Sequence, residues 1–136
     1  MTLVDTNVLL DIATADPQWS QWSLRGVEAA SLSGPLLINP VIYAELSVRY
    51  DRIEALEAFV QGAALEMTEL PRAALFLAAK AFLRYRAAGG RKTNVLPDFF
   101  VGAHASILDV PLLTRDVGRY RTYFPRIRLI APGSEG

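Results

Sequence analysis

The reading of the fold turns on the first eleven residues, Met1–Asp11, which run MTLVDTNVLLD. Met1–Val4 is a short apolar run that stops at an acid, so it reads as a strand that should be central, with Asp5 at its carboxyl end. Asn7–Ala13 follows as one or two helical turns. An acid placed directly after an apolar strand is the observation from which the remaining argument grows.

Working outward, the chain alternates strand and helix signals. Asp16-Pro17 is a cap followed by a first-turn proline, predicting a helix to about Leu32, stopped by Gly34-Pro35. Leu36–Ile38 reads as a second strand. Asn39-Pro40 opens a helix to about Tyr50. Asp51 with Glu54 three residues on resembles a capping box, and Ile53, Leu56, Phe59 and Val60 keep helical spacing up to Gly62. Leu65–Met67 is a third strand. Pro71 starts a long helix with Leu75, Ala78, Ala79, Phe82 and Leu83 on one side, ended by Gly89-Gly90. GGRKTN is a basic loop, and Pro97–Leu108 is apolar nearly all round, as a buried helix should be. Pro111–Thr114 is a fourth strand, a short helix runs from Asp116, and Ile127–Ile130 is a fifth strand. This alternation predicts an α/β domain with a mainly parallel five-stranded sheet and helices on both faces. No repeat or linker divides it, so residues 1–131 are expected to form one domain, with 132–136 as a short flexible tail.

Bulk composition narrows the class. At 136 residues the chain is long enough to bury a core without staples, and it has no cysteine, which removes disulfides and thiolate metal sites. The opening residues carry acids and no basic region, unlike a signal peptide, and no apolar run approaches the ~20 residues of a spanning helix. A soluble, cytoplasmic protein without membrane contact is expected. Net charge is zero, yet residues 1–71 hold three basic and ten acidic side chains, while 72–128 hold eleven basic and three acidic. That asymmetry fits an anionic partner on one face, and equally two halves that neutralise each other across the fold.

In a parallel sheet the helix N-termini lie at the carboxyl edge of the strands, where ligands bind. Asp5 follows the first strand, and Asp116 lies two residues past Thr114 at the end of the fourth. Asp98 is in the first turn of the buried helix. Glu45 is in the second turn of the helix after Leu36–Ile38, and helical side chains lean toward the N-terminus. All four therefore point toward one edge. Gathered carboxylates repel, and a divalent cation resolves the conflict; oxygen donors without cysteine select Mg²⁺ or Mn²⁺ over zinc. Such an ion activates water for phosphodiester hydrolysis and neutralises the charge that develops.

Each acid also has a plainer reading. Asp116 serves equally as an N-cap, Asp98 as a first-turn acid and Glu45 as a solvated glutamate. His104, six residues past Asp98, reads as a core histidine rather than a ligand. Thr6, Asn7 and Thr114 flank the acids and either orient carboxylates and water or serve turns. Trp19 and Trp22 read as core more readily than as base-stacking platforms. Arg84, Arg86, Arg91 and Lys92 on one side, with Arg115, Arg119 and Arg121 on the other, either grip a phosphate backbone or form a solvated face.

At these residues the chain resembles the PIN-domain ribonucleases, specifically the VapC-type toxins of type II toxin–antitoxin systems. "VDTNVLLD" is similar to the family's first motif, supplying Asp5 with Thr6 and Asn7. "INPVIYAEL" matches the second acidic position at Glu45, "LPDFFVGAHA" the third at Asp98, and "LLTRD" the fourth with Thr114 and Asp116. The resemblance implies a five-stranded parallel sheet, a homodimer, and RNA cleavage with Mg²⁺ or Mn²⁺. It also implies inhibition by a cognate small antitoxin that covers the acidic site. Asp5, Asp98 and Asp116 would be metal ligands, with Glu45 binding directly or through water and positioning the attacking water. Two rivals stay open: a non-catalytic module whose acids bind a partner's arginine, and a PIN-like nuclease acting on DNA. A phospho-acceptor receiver domain is disfavoured, because Asp5 has no acidic neighbour and Arg115 stands where that chemistry wants lysine.

Overall fold

The computed structural model describes residues 1–133. Five parallel strands form one sheet: β1 (Thr2–Val4), β2 (Leu36–Ile38), β3 (Leu65–Met67), β4 (Leu112–Leu113) and β5 (Leu129–Ile130), in the order β3-β2-β1-β4-β5. The helices are α1 (Thr6–Ala13), α2 (Ser20–Ser33), α3 (Pro40–Ser47), α4 (Ile53–Gly62), α5 (Arg72–Ala87), α6 (Leu96–Leu108) and α7 (Gly118–Tyr123). The α/β architecture and the five-stranded parallel sheet match the expectation from the sequence.

Burial follows strand position. Every residue of β1 and β2 is buried, and successive strand residues face opposite sides, so both faces of the sheet centre are covered. At the edges, Glu66 and Met67 of β3 are exposed and both residues of β5 are only half-buried. The order places β1 beside β4, in register Leu3 with Leu112 and Val4 with Leu113. The chain leaves β1 toward β2 on one side and returns to β4 on the other, so the crevice for a ligand opens where β1 and β4 end.

Several local expectations are corrected. α2 begins at Ser20, because Asp16 accepts from the backbone N–H groups of Gln18 and Trp19 and holds residues 17–19 in a turn. α3 ends at Ser47 rather than Tyr50. The Asp51–Glu54 capping box does not form: Arg52 is the N-cap of α4, without a side-chain cap bond, and its guanidinium reaches Glu54 at 3.5 Å. On α5 the buried residues are Ala74, Ala78 and Ala81, while Leu75, Ala79 and Leu83 are exposed. An alanine-rich helix has little amphipathic contrast, and its small side chains suit the close packing of α5 against α6. The tail expected at 132–136 opens with a turn at Pro132-Gly133; residues 134–136 lie outside those described.

Candidate active site

Asp5 is the N-cap of α1, and its extended backbone (φ −71°, ψ 153°) turns the side chain back over the first helical turn. The residue is 4% exposed. Oδ1 accepts from the Thr6 N–H at 2.8 Å; Oδ2 accepts from the Thr114 hydroxyl at 2.9 Å and the Tyr120 hydroxyl at 2.8 Å, with Asn7 Nδ2 at 3.5 Å. Four neutral donors therefore attend one buried carboxylate. Burial nevertheless outweighs them, and with the charge of Asp98 nearby it raises Asp5 to about 6.

The other acids lie around it. Glu45 Oε1 accepts from the Thr6 hydroxyl at 2.7 Å; burial raises its pKa against that bond, and the Asp98 charge adds to the rise. Asp98, in the first turn of α6, takes Arg119 Nε at 3.2 Å. Burial raises it, Arg119 opposes, and the Asp116 charge raises it further. Asp116 is exposed and tied in through its backbone: its N–H donates to Thr114 Oγ1 at 3.1 Å, and Thr114 Oγ1 lies 3.2 Å from its carbonyl. It does not cap α7, whose N-cap is Val117. Thus Asp5, Glu45 and Asp98 share one field, and Asp116 acts on it from the rim.

The flanking residues divide between these acids. Thr6 bonds both Asp5 and Glu45. Asn7 Nδ2 donates to Thr114 Oγ1 at 3.2 Å, and its Oδ1 accepts the Arg115 N–H at 3.3 Å. Among the basic side chains, Arg115 is held by Asp11 and Arg119 by Asp98. Arg84 reaches the Tyr123 carbonyl at 3.5 Å, Arg86 the Gly90 carbonyl at 3.5 Å, and Arg91 and Lys92 are exposed. His104 is a core residue with no exposed surface; Asn39 Nδ2 donates to its Nδ1 at 3.0 Å, Nε2 has no partner among the described residues, and burial lowers its pKa. Trp19 and Trp22 are half-buried and meet edge to face at 6.3 Å.

Tyr120 was invisible to sequence reasoning. It is 2% exposed, and burial with the charge of Asp5 pushes its phenol well above the ordinary value. It reaches Asp5 because position 102 of α6 is glycine: a β-carbon there would lie 2.5 Å from the Phe124 ring and 3.1 Å from that of Tyr120. A tyrosine inside a short arginine-rich helix gives no local sign of such a partner. Asp11 was also missed, since an acid on the first helix, away from any strand end, carries no edge signal.

Oxygen donors suit a hard divalent cation. Among the described residues, however, no three Asp, Glu or His side chains stand close enough to hold one ion between them. Mg²⁺ commonly takes only one or two carboxylates and keeps water on its other positions, so this donor set fits it in that manner. Oδ1 of Asp5, with a single donor, is the oxygen with room for a further bond. A separate cavity of about 910 Å³, lined by Trp22, Arg25, Arg128 and Ile130 among others, touches none of the four acids.

The family profile described as PIN domain matches residues 2–125. The chain belongs to the PIN-domain family. Among solved structures, this PIN domain is similar to VapBC2 from Rickettsia felis bound to a promoter DNA fragment, with TM-score 0.72 and 16% identity over 96% of this chain and 97% of that one. It is also similar to VapBC-1 from nontypeable Haemophilus influenzae, with TM-score 0.70 and 17% identity over 96% of each chain. FitAcB from Neisseria gonorrhoeae gives TM-score 0.66 and 18% identity over 98% of this chain and 99% of that one. At these identities the likeness is one of fold. No curated protein matches the chain. No helix among the described residues is long and apolar enough to cross a membrane.

Proposed function

We propose that this PIN domain is a Mg²⁺- or Mn²⁺-dependent endoribonuclease and the toxin of a toxin–antitoxin pair. One observation carries the catalytic part: Asp5, 4% exposed and given only neutral donors among the described residues, lies in the field of Asp98 at the β1/β4 edge. Keeping such a carboxylate unpaired is costly for a merely structural acid and natural for one that meets a cation. Asp5, Asp98 and Asp116 would hold the ion, directly or through its waters. A bound ion would lower the pKa of a water and neutralise charge on the phosphate. Glu45 offers the oxygen not bonded to Thr6 to orient the attacking water and accept its proton. Thr6, Asn7 and Thr114 keep the carboxylates in place.

RNA is the proposed substrate. Arg84, Arg86, Arg91 and Lys92 would take its phosphates, with Arg119, held at Nε alone by Asp98; Arg115 is left out because the buried Asp11 takes both Nε and Nη2 of its guanidinium. The ring contact of Tyr85 with Phe99 (5.6 Å) ties the basic end of α5 to the helix bearing Asp98, and that of Phe99 with Tyr123 (5.3 Å) ties α7 to the same helix. The antitoxin proposal is supported by the similar structures, which include VapBC2, FitAcB and a toxin–antitoxin complex from Klebsiella pneumoniae. Exposed Leu75, Phe76 and Leu83 on α5 support a homodimer as a way to cover an apolar stripe. A soluble cytoplasmic protein is proposed on the same reading.

The test is cleavage of total cellular RNA by purified protein with Mg²⁺ or Mn²⁺, with EDTA, and with Asp5→Asn. Discrete fragments that need both metal and Asp5 are expected. Loss of neither on EDTA or Asp5→Asn would sink the assignment, and cutting of DNA but not RNA would replace the substrate.

A further inference from the structure

Asn7 and Asp11 are one turn apart on α1 and share a helix face. Both reach the same loop, residues 114–117, between β4 and α7. Asn7 Oδ1 accepts the Arg115 N–H at 3.3 Å. Asp11 takes the Arg115 guanidinium as a fork, Nε to Oδ2 at 2.7 Å and Nη2 to Oδ1 at 2.8 Å. Asp11 is 2% exposed, and Ser23 Oγ on α2 donates to its Oδ2 at 2.8 Å. The guanidinium lies 5.4 Å over the Trp19 ring. Arg115 is thus fixed at its backbone and at both ends of its fork.

Its two neighbours are site residues. Thr114 donates to Asp5, and Asp116 adds its charge to Asp98. Among the described residues no hydrogen bond reaches the Asp116 carboxylate itself, so its position is set by the backbone it stands on. That backbone is neither strand nor helix at residues 114–117.

We infer that Asp11, acting through Arg115, is a positioning residue that holds Thr114 and Asp116 at the acidic edge. The inference rests on the nuclease reading above. A planar fork on a buried carboxylate fixes the orientation of the guanidinium, and with it the loop, in a way that a point charge does not. Lysine at position 115 would keep the charge and lose that orientation. Ser23 touches Asp11 from the far side, so its loss weakens the carboxylate's setting without releasing the loop.

The experiment compares wild type, Asp11→Asn, Arg115→Lys and, as a control, Ser23→Ala. Amide hydrogen exchange of residues 114–117 is followed without metal; Mn²⁺ affinity by calorimetry and kcat and KM for RNA are followed beside it. Asp11→Asn and Arg115→Lys are expected to speed exchange in the loop, weaken Mn²⁺ binding about tenfold, and lower kcat about tenfold with KM little changed, the size typical of losing an orienting partner. Ser23→Ala should leave Mn²⁺ affinity and kcat near wild type. Unchanged loop exchange in both folded variants would overturn the clamp. Faster exchange with wild-type Mn²⁺ affinity and kcat would overturn its positioning role. A wild type that neither binds Mn²⁺ nor cuts RNA would overturn the nuclease reading, and this role with it, whereas faster loop exchange in that case would still identify the pair as a structural latch. The three failures therefore have different signatures.

Discussion

Asp5 caps one short helix and Asp11 lies in its last turn, and both are almost wholly buried, at 4% and 2% exposure. Their surroundings differ in kind. Asp11 is met by a cation, the forked guanidinium of Arg115, and by Ser23. Among the described residues, Asp5 is met only by neutral donors and by the field of another acid. The protein neutralises the first carboxylate within its own chain and leaves the second to an ion or a proton. Between these two aspartates burial alone does not distinguish the surroundings; the internal counter-charge on Asp11 does.

The comparison is most severely tested by activity. Asp5→Asn or Asp98→Asn should reduce RNA cleavage by roughly 10³-fold or more, since a metal at a developing charge is worth several kcal/mol and each ~1.4 kcal/mol is tenfold. Single-turnover rates on a defined RNA measure this, and activity within tenfold of wild type would remove either acid from the site. Stability should order the two aspartates the other way. Arg115→Met strands the Asp11 charge and should cost about 3 kcal/mol or more in urea denaturation. Asp5→Asn should cost nothing or stabilise, because the amide oxygen still accepts from Thr6 and its NH₂ can donate to the hydroxyls of Thr114 and Tyr120.

A smaller effect follows with pH. Asp5 has its folded pKa raised to about 6, so the native state binds its proton more tightly than the unfolded chain. Its contribution is full below the unfolded value near 3.8 and is lost as pH rises to about 6. Glu45 and Asp98 are shifted in the same direction. In metal-free buffer, stability should therefore fall across that window, by at most about 3 kcal/mol from Asp5 at 1.36 kcal/mol per pKa unit. Mg²⁺ should flatten the fall, and Asp5→Asn should remove its largest part. Removing a donor sharpens the point: Tyr120→Phe takes away a bond that lowers Asp5, so the acid limb of the cleavage profile should move to higher pH. An unmoved limb would separate Asp5 from the ionisation that controls the rate. The least effect belongs to His104, which should stay neutral at pH 7 with its proton on Nε2, since Asn39 donates to Nδ1. Ring nitrogen shifts in NMR report this tautomer directly.

What the sequence determined by itself was the edge. Strands alternating with helices force a parallel sheet, and a parallel sheet sends every residue just past a strand, or just inside the next helix, to the same side. Asp5, Glu45, Asp98 and Asp116 were legible for that reason, because each lies a few residues from an element boundary. His104 was legible as core because its helix is apolar all round. The order β3-β2-β1-β4-β5, which brings Asp5 at the end of β1 beside Thr114 at the end of β4, depends on which strands pair and is decided only in three dimensions. So are the bonds of Tyr120 to Asp5, 115 residues apart, and of Arg115 to Asp11, 104 residues apart. The buried face of α5 is decided in the same way: leucine outranks alanine in any local hydrophobic pattern, but the close approach of α6 selects the smaller side chains. Local periodicity encodes what a segment prefers, whereas the partner that satisfies a buried charge, or the helix that fills a groove, is chosen by packing between segments far apart in the chain.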